Sequence, residues 1–136
     1  MASASAKRIQ CLEVSLDQKP GSLAKVFGAF REAKVNIITH WAYETGPGEA
    51  KGIFYASDYD KAKEVLTQLS LKPESCDACW VEGDDRIGAY VDWLQKIAKA
   101  GVNINATDAY SINGRWGSVF YAEEKDYPAL CKALGC

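Results

Sequence analysis

A chain of 136 residues, 48% hydrophobic and 25% charged, has the composition of one ordinary globular domain or of two very small lobes sharing a core. Its formal net charge of −2, with no Lys/Arg cluster, excludes a general attraction to phosphate backbones, so nucleic acid is not an expected partner. The prefix Met1 to Lys7 is small and polar without the apolar core of a signal peptide, and no run elsewhere is long enough to cross a bilayer. A cytoplasmic location and no membrane partner are expected.

Ile9 to Leu16 alternates, with Leu12, Val14 and Leu16 on one side, and predicts a half-buried strand. Pro20-Gly21 breaks it with a tight turn. Apolar residues at Leu23, Val26, Phe27 and Phe30 then predict a helix with a single buried stripe. Asn36 to Glu44 is β-rich, and Gly46-Pro47-Gly48 turns it into a strand over Lys51 to Ala56. Asp58 or Asp60 caps a second helix that turns Ala62, Val65, Leu66 and Leu69 inward. After Pro73 comes one strand, Ser75 to Glu82, and then the order repeats. A helix over Gly88 to Ala100 is followed by strands over Asn103 to Ser111 and Gly117 to Ala122, and by a last helix over Asp126 to Leu134 with Pro128 in its first turn.

The repetition is visible residue by residue. Gly21 and Gly88 stand 67 residues apart, and so do Asn36 and Asn103 in the matching runs Val35-Asn36-Ile37 and Val102-Asn103-Ile104. Ala42-Tyr43 then matches Ala109-Tyr110, and after one deletion at the Asn113-Gly114 hairpin Phe54-Tyr55-Ala56 matches Phe120-Tyr121-Ala122. A shared period of this kind marks a duplicated structural unit. The expected repeats are 8–72 and 73–136, each a βαββα unit. If their first strands lie side by side and antiparallel, the halves join into one six-stranded antiparallel sheet with four helices on one face, and no central edge is left unpaired. With Ile37 and Ile104 marking the helix side, Glu13, Ile38, His40, Ala42, Trp80 and one of Phe54 and Tyr55 are expected on the bare side. A partly apolar face there implies a homodimer packed face to face.

Five cysteines without a secretion signal read as reduced thiols. Cys76 and Cys79 have metal-like spacing, but residues three apart on a strand point to opposite faces and do not readily chelate one ion. Cys79 is therefore expected as a small core residue, Cys131 in the last helix, and Cys136 in a fraying end; no metal or other cofactor is implied.

The run Gln18-Lys19-Pro20-Gly21-Ser22-Leu23, the helix after it and Val35-Asn36-Ile37 resemble the signature of ACT domains, small regulatory modules of ferredoxin-like α+β fold that bind amino acids. The second copy is similar but carries Ile87 for the proline and Tyr90 for the leucine. The pair resembles stand-alone tandem ACT proteins over roughly Arg8 to Leu134. That resemblance implies a regulatory module without catalysis, with the effector between the glycine loop of one repeat and the start of the second strand of the other. It nominates Asp17, Lys19, Pro20, Gly21, Ser22 and Leu23 with Asn103 and Ile104 for one pocket. The mirror pocket takes Asp84, Arg86, Ile87, Gly88 and Ala89 with Asn36 and Ile37.

Chemically, a glycine opening a helix leaves backbone N–H groups at the positive dipole end, which suits a carboxylate. Asp17 and Asp84 suit an ammonium group, Asn36 and Asn103 either end, and Arg86 a bidentate carboxylate clamp. Each also has a plainer reading: turn glycines, backbone-bridging asparagines, solvated loop charges, and for His40 a half-buried sheet residue. No Ser-His-Asp set, Cys-His pair or phosphate-cradling glycine loop is present. Two alternatives remain. One is a scaffold binding another protein through the bare face; the other is an acylphosphatase-like hydrolase built on Arg86 and Asn103.

Overall fold

The computed structural model describes residues 4–136. The chain runs β1 (Ser5–Asp17), α1 (Ser22–Glu32), β2 (Ile37–Gly46), β3 (Glu49–Ala56), α2 (Tyr59–Gln68), β4 (Glu74–Asp84), α3 (Ala89–Lys99), β5 (Ala106–Ile112), β6 (Arg115–Tyr121) and α4 (Tyr127–Leu134). The six strands form one antiparallel sheet in the order β2-β3-β1-β4-β6-β5. Two βαββα units with four helices therefore share a ferredoxin-like tandem architecture. Two compact bodies are distinguished, Gln10–Cys76 and Asp77–Cys136, the second together with the stretch up to Ile9.

In the unit Gln10–Cys76, β3 pairs with β1 through Leu12↔Phe54, Val14↔Gly52 and Leu16↔Ala50, and with β2 on its other edge. Alternation along β1 sends Leu12, Val14 and Leu16 to one side, where they meet Val26 and Phe30 of α1 and Ala62, Val65 and Leu66 of α2. Asp58 caps α2 by accepting the Lys61 N–H at 3.1 Å. Lys34, after α1, takes a positive φ of 57° and lets the Val35 N–H reach back to the Phe30 carbonyl at 2.9 Å.

In the second unit, β6 pairs with β4 through Cys79↔Phe120 and Val81↔Ser118, and with β5 on its other edge. Cys79, Val81 and Phe120 meet Ile97 of α3 and Leu130, Cys131 and Leu134 of α4. The Asn113-Gly114 hairpin has both residues at positive φ, 51° and 79°, as a two-residue β-turn of this hand requires. Gly117 is needed for a different reason. A Cβ there would lie 2.9 Å from the Trp80 ring, so the indole lies flat against β6 only because that position is bare.

Two strand-face expectations need correction, and a third choice is settled. His40 lies on the helix side of β2, with its ring 4.7 Å from Phe27 of α1 and stacked on Phe54 at 5.5 Å. Ala42 borders the first turn of α1. The register of β2 against β3 shifts between Ile37 and Thr39, and this bulge inverts the alternation counted from Ile37. Phe54 is fully buried in the helix-side core, which leaves Tyr55, its neighbour on the strand, for the opposite face. Strand β5 begins at Ala106, so Asn103 and Ile104 stand in the segment before it.

Candidate functional site

Each glycine loop opens a helix in the same way. Gly21 (φ 91°) and Gly88 (φ 81°) occupy the left-handed region at the N-caps of α1 and α3, and neither cap position supplies a side-chain hydrogen bond. Space is not the reason for glycine, since a Cβ at either position would meet nothing within 4 Å. The backbone angle is the reason: an L side chain in this region costs about 1–2 kcal/mol. Around the first loop the chain is tied down by Gln18 N–H to Gly48 O at 3.2 Å, Ser22 N–H to Lys19 O at 3.3 Å and Lys25 N–H to Gly21 O at 2.9 Å. Around the second, Asp85 N–H reaches Gly114 O at 2.8 Å and Ala89 N–H reaches Arg86 O at 3.2 Å.

A crevice of ≈ 260 Å³ lies beside the first loop, between Asp17, Lys19, Gly21, Ser22 and Leu23 and the small side chains of Ala42 and Ala50. A second cavity of ≈ 310 Å³ adjoins the same loop, where Pro20 and Lys25 face Leu69 and Leu71. The matching crevice in the other unit, ≈ 350 Å³, is bounded by Arg86, Gly88, Ala89 and Tyr90 with Ala109 and Trp116. These volumes sit at the small end of ligand sites. Of the sequence-predicted residues, the first crevice gathers Asp17, Lys19, Gly21, Ser22 and Leu23, and the larger cavity adds Pro20. The other unit's crevice gathers Arg86, Gly88 and Ala89, while Ile87 is wholly exposed. Asn36 and Asn103 are both exposed, and the Asn36 carbonyl accepts Ser57 N–H at 2.9 Å, the backbone-bridging role.

The charges of the two loops are handled differently. Asp17 and Lys19 approach no closer than 4.0 Å and both are exposed, so Asp17 stays open to a cation. Asp84 is held by Arg115 at 2.7 Å, and the same guanidinium reaches Glu82 at 3.1 Å. The Trp80 indole donates to Glu82 at 2.6 Å and, with Arg115, holds that carboxyl below its ordinary range. Arg86 is ion-paired with Asp92, one turn into α3, so the residue nominated as a carboxylate clamp already holds a carboxylate. Sequence reading assigned Arg115 no role at either loop. It missed Ala42, Ala50, Ala109, Tyr110 and Trp116 as lining residues, although the matched pairs Ala42-Tyr43 and Ala109-Tyr110 carried a signal.

The sequence matches no protein-family model and no curated protein. Solved structures do match the fold. The chain is similar to protein BT0572 from Bacteroides thetaiotaomicron, at 20% identity over 93% of this chain and 88% of that one, with a TM-score of 0.81. It is also similar to the regulatory subunits of aspartate kinase from Thermus thermophilus and Thermus flavus. The first is 18% identical with a TM-score of 0.67, the second 17% with 0.63, and each match covers 98% of this chain and 94% of the other. At such identities the likeness establishes the fold alone, a tandem arrangement of ferredoxin-like repeats. Among the described residues, no helix is long and apolar enough to cross a membrane.

Proposed function

We propose that this protein is a regulatory module that binds a small molecule, an amino acid, and has no catalytic activity of its own. The observation that carries the reading is the repeated glycine loop. Each copy presents the positive end of a helix dipole beside a crevice of ligand size. At the first loop the α-carboxylate faces the amides at the start of α1 and the ammonium group meets Asp17. At the second loop Asp84 is already paired, so affinity there is weaker. Printed descriptions of two similar structures as regulatory subunits of aspartate kinase support the regulatory part of the reading.

Association of two copies belongs to the same proposal. Ile38 and Tyr43 on β2, and Tyr110 and Ile112 on β5, are large apolar side chains exposed on the strands at the ends of the sheet order. Light scattering is expected to return the mass of a dimer.

A thermal-shift screen over the common amino acids tests the reading. One of them is expected to raise the midpoint, because ligand at a hundredfold its Kd stabilises by about 2.7 kcal/mol. Asp17→Asn is expected to weaken that ligand at least tenfold and Asp84→Asn less. If no amino acid moves the midpoint at millimolar concentration, the reading fails.

A further inference from the structure

Outside the glycine loops, one cluster of chemically capable side chains stands out, and sequence spacing did not reveal it. Cys79, Cys131 and Cys136 bring their sulfurs within 4.8 Å of one another, in the unit Asp77–Cys136. Cys79 and Cys131 are buried, and Cys136 is half-buried. The Cys79 and Cys131 sulfurs are 3.6 Å apart, and those of Cys136 and Cys79 are 3.9 Å apart.

The convergence follows from local structure. Alternation on β4 turns Cys79, with Val81, toward the helices. The Tyr127 hydroxyl donates to the Ala78 carbonyl at 3.0 Å and pins the start of α4 to that strand, one turn before Cys131. At the other end of α4, Gly135 adopts φ 83°. Its N–H reaches Lys132 O at 3.2 Å, and the Cys136 N–H reaches Cys131 O at 2.9 Å. This pair of bonds is the Schellman cap, whose habitual side-chain contact joins the residue after the glycine to the one five positions back. Here those residues are Cys136 and Cys131. Arg8 Nε donates to the Cys136 carbonyl at 3.4 Å, so the residue expected to fray is held from both sides.

We propose that these three cysteines form a trithiol site for a trivalent thiophilic metalloid of the arsenic type. A trivalent arsenic centre is pyramidal, and three sulfurs each about 2.3 Å from it stand about 3.5 Å apart, close to the 3.6 and 3.9 Å at which Cys79 already meets Cys131 and Cys136. Soft sulfur donors select soft acceptors, and the charge of the occupant narrows the class. The sulfurs belong to a core that holds Val81, Ile97, Phe120, Leu130 and Leu134, with the Arg8 side chain only at its edge on the Cys136 carbonyl, so a complex that keeps net charge is expensive here. Three thiolates leave two negative charges on a monovalent ion and one on a divalent ion. With a trivalent centre the complex is neutral. Arsenous acid reacts with three thiols by exchanging three As–O bonds for three As–S bonds. Each thiol proton leaves on a hydroxide as water, and nothing is oxidised. Cys136, the half-buried member, is the point of entry.

The test uses the full chain, reduced, with arsenite as the probe. Intact mass under native conditions should show one arsenic gained and three hydrogens lost, and arsenic-edge absorption should show a shell of three sulfurs. Cys136→Ser and Cys136→Ala should each weaken binding at least tenfold while leaving the thermal midpoint without arsenite within a few degrees of wild type. Cys76→Ser should bind as wild type does. Binding that survives both Cys136 variants undiminished, a shell of two sulfurs, or no uptake at stoichiometric arsenite overturns the proposal and leaves the cluster as apolar packing. None of these readouts depends on amino-acid binding.

Discussion

In the first unit an imidazole lies flat against a buried phenylalanine, His40 on Phe54, with 12° between the ring planes. In the second a phenol does the same work, Tyr90 on Phe120 at 10°, and the residue 67 positions after His40 is Thr107. The stacked ring thus comes from a strand in one repeat and from a helix in the other. What the two share is a filled volume beneath α1 and α3; what differs is how polar groups enter it. His40 brings an Nδ1 that is buried and has no hydrogen-bond partner. Tyr90 brings a hydroxyl that donates to Thr107 at 2.6 Å, and Thr107 passes a bond on to the Val119 carbonyl at 2.9 Å. Duplication fixed the backbone, and each copy then solved its core and its crevice separately. The Ala50 position of the first crevice is Trp116 in the second, and the open Asp17 becomes an Asp84 held by arginine.

The largest effects should come from the two core positions that superpose, Phe30 and Ile97, each about 1% exposed. Phe30→Ala should cost about 3–5 kcal/mol and Ile97→Ala about 2–5 kcal/mol in urea unfolding. Phe30 has the larger expected cost because its ring meets both Phe27 and Phe54 edge-on, contacts without an aliphatic equivalent. Equal costs would mean that the second core is as tightly built as the first.

Gly21→Ala and Gly88→Ala should behave alike despite the different loops. Each Cβ enters open space, so the penalty is conformational, about 1–2 kcal/mol, and should be the same in both units. A much larger loss at one position would show that the loop conformation depends on contacts besides the backbone angle. Tyr90→Phe removes only the hydroxyl at the head of the Thr107 relay and should cost about 0.5–1.5 kcal/mol. The stack on Phe120 should survive, so near-ultraviolet circular dichroism is expected to change little.

The repeat, the element order and the joined sheet were legible because they depend on periodicity and on the need to pair every central strand edge. Leu12, Val14, Val26, Phe30, Ala62 and Leu66 are all buried as their spacing predicts. The face of His40 was not legible, since a single bulge near Ile37 reverses a count that is otherwise sound. The glycine loops were readable as helix openings. Their pairings with Arg115 and Asp92 were not, because ion pairs among exposed side chains leave no periodic trace. The trithiol was hidden for a related reason. It joins residues 52 and 57 positions apart through a helix cap whose geometry, not its composition, brings Cys136 inward.

The smallest expected effect is the one that separates the two aromatic stacks most directly. Burial lowers the pKa of His40 from its ordinary value of 6.5, because a charged imidazole between Phe27 and Phe54 loses its water without gaining a partner. The folded state therefore binds this proton less readily than the unfolded chain does. Well above pH 6.5 both states are neutral here and the residue adds no slope. As pH falls below that value the unfolded chain takes up the proton first, and stability declines until the folded pKa is reached. Replacing the imidazole with the second unit's residue, His40→Thr, should remove this acid-side decline while lowering stability at pH 8 through the lost stack. Denaturant midpoints of both proteins between pH 8 and pH 5 provide the check. Curves that stay parallel across that range would show that the ring accepts its proton in place, as an exposed histidine does, and that the two stacks are alike in polarity as well as in shape.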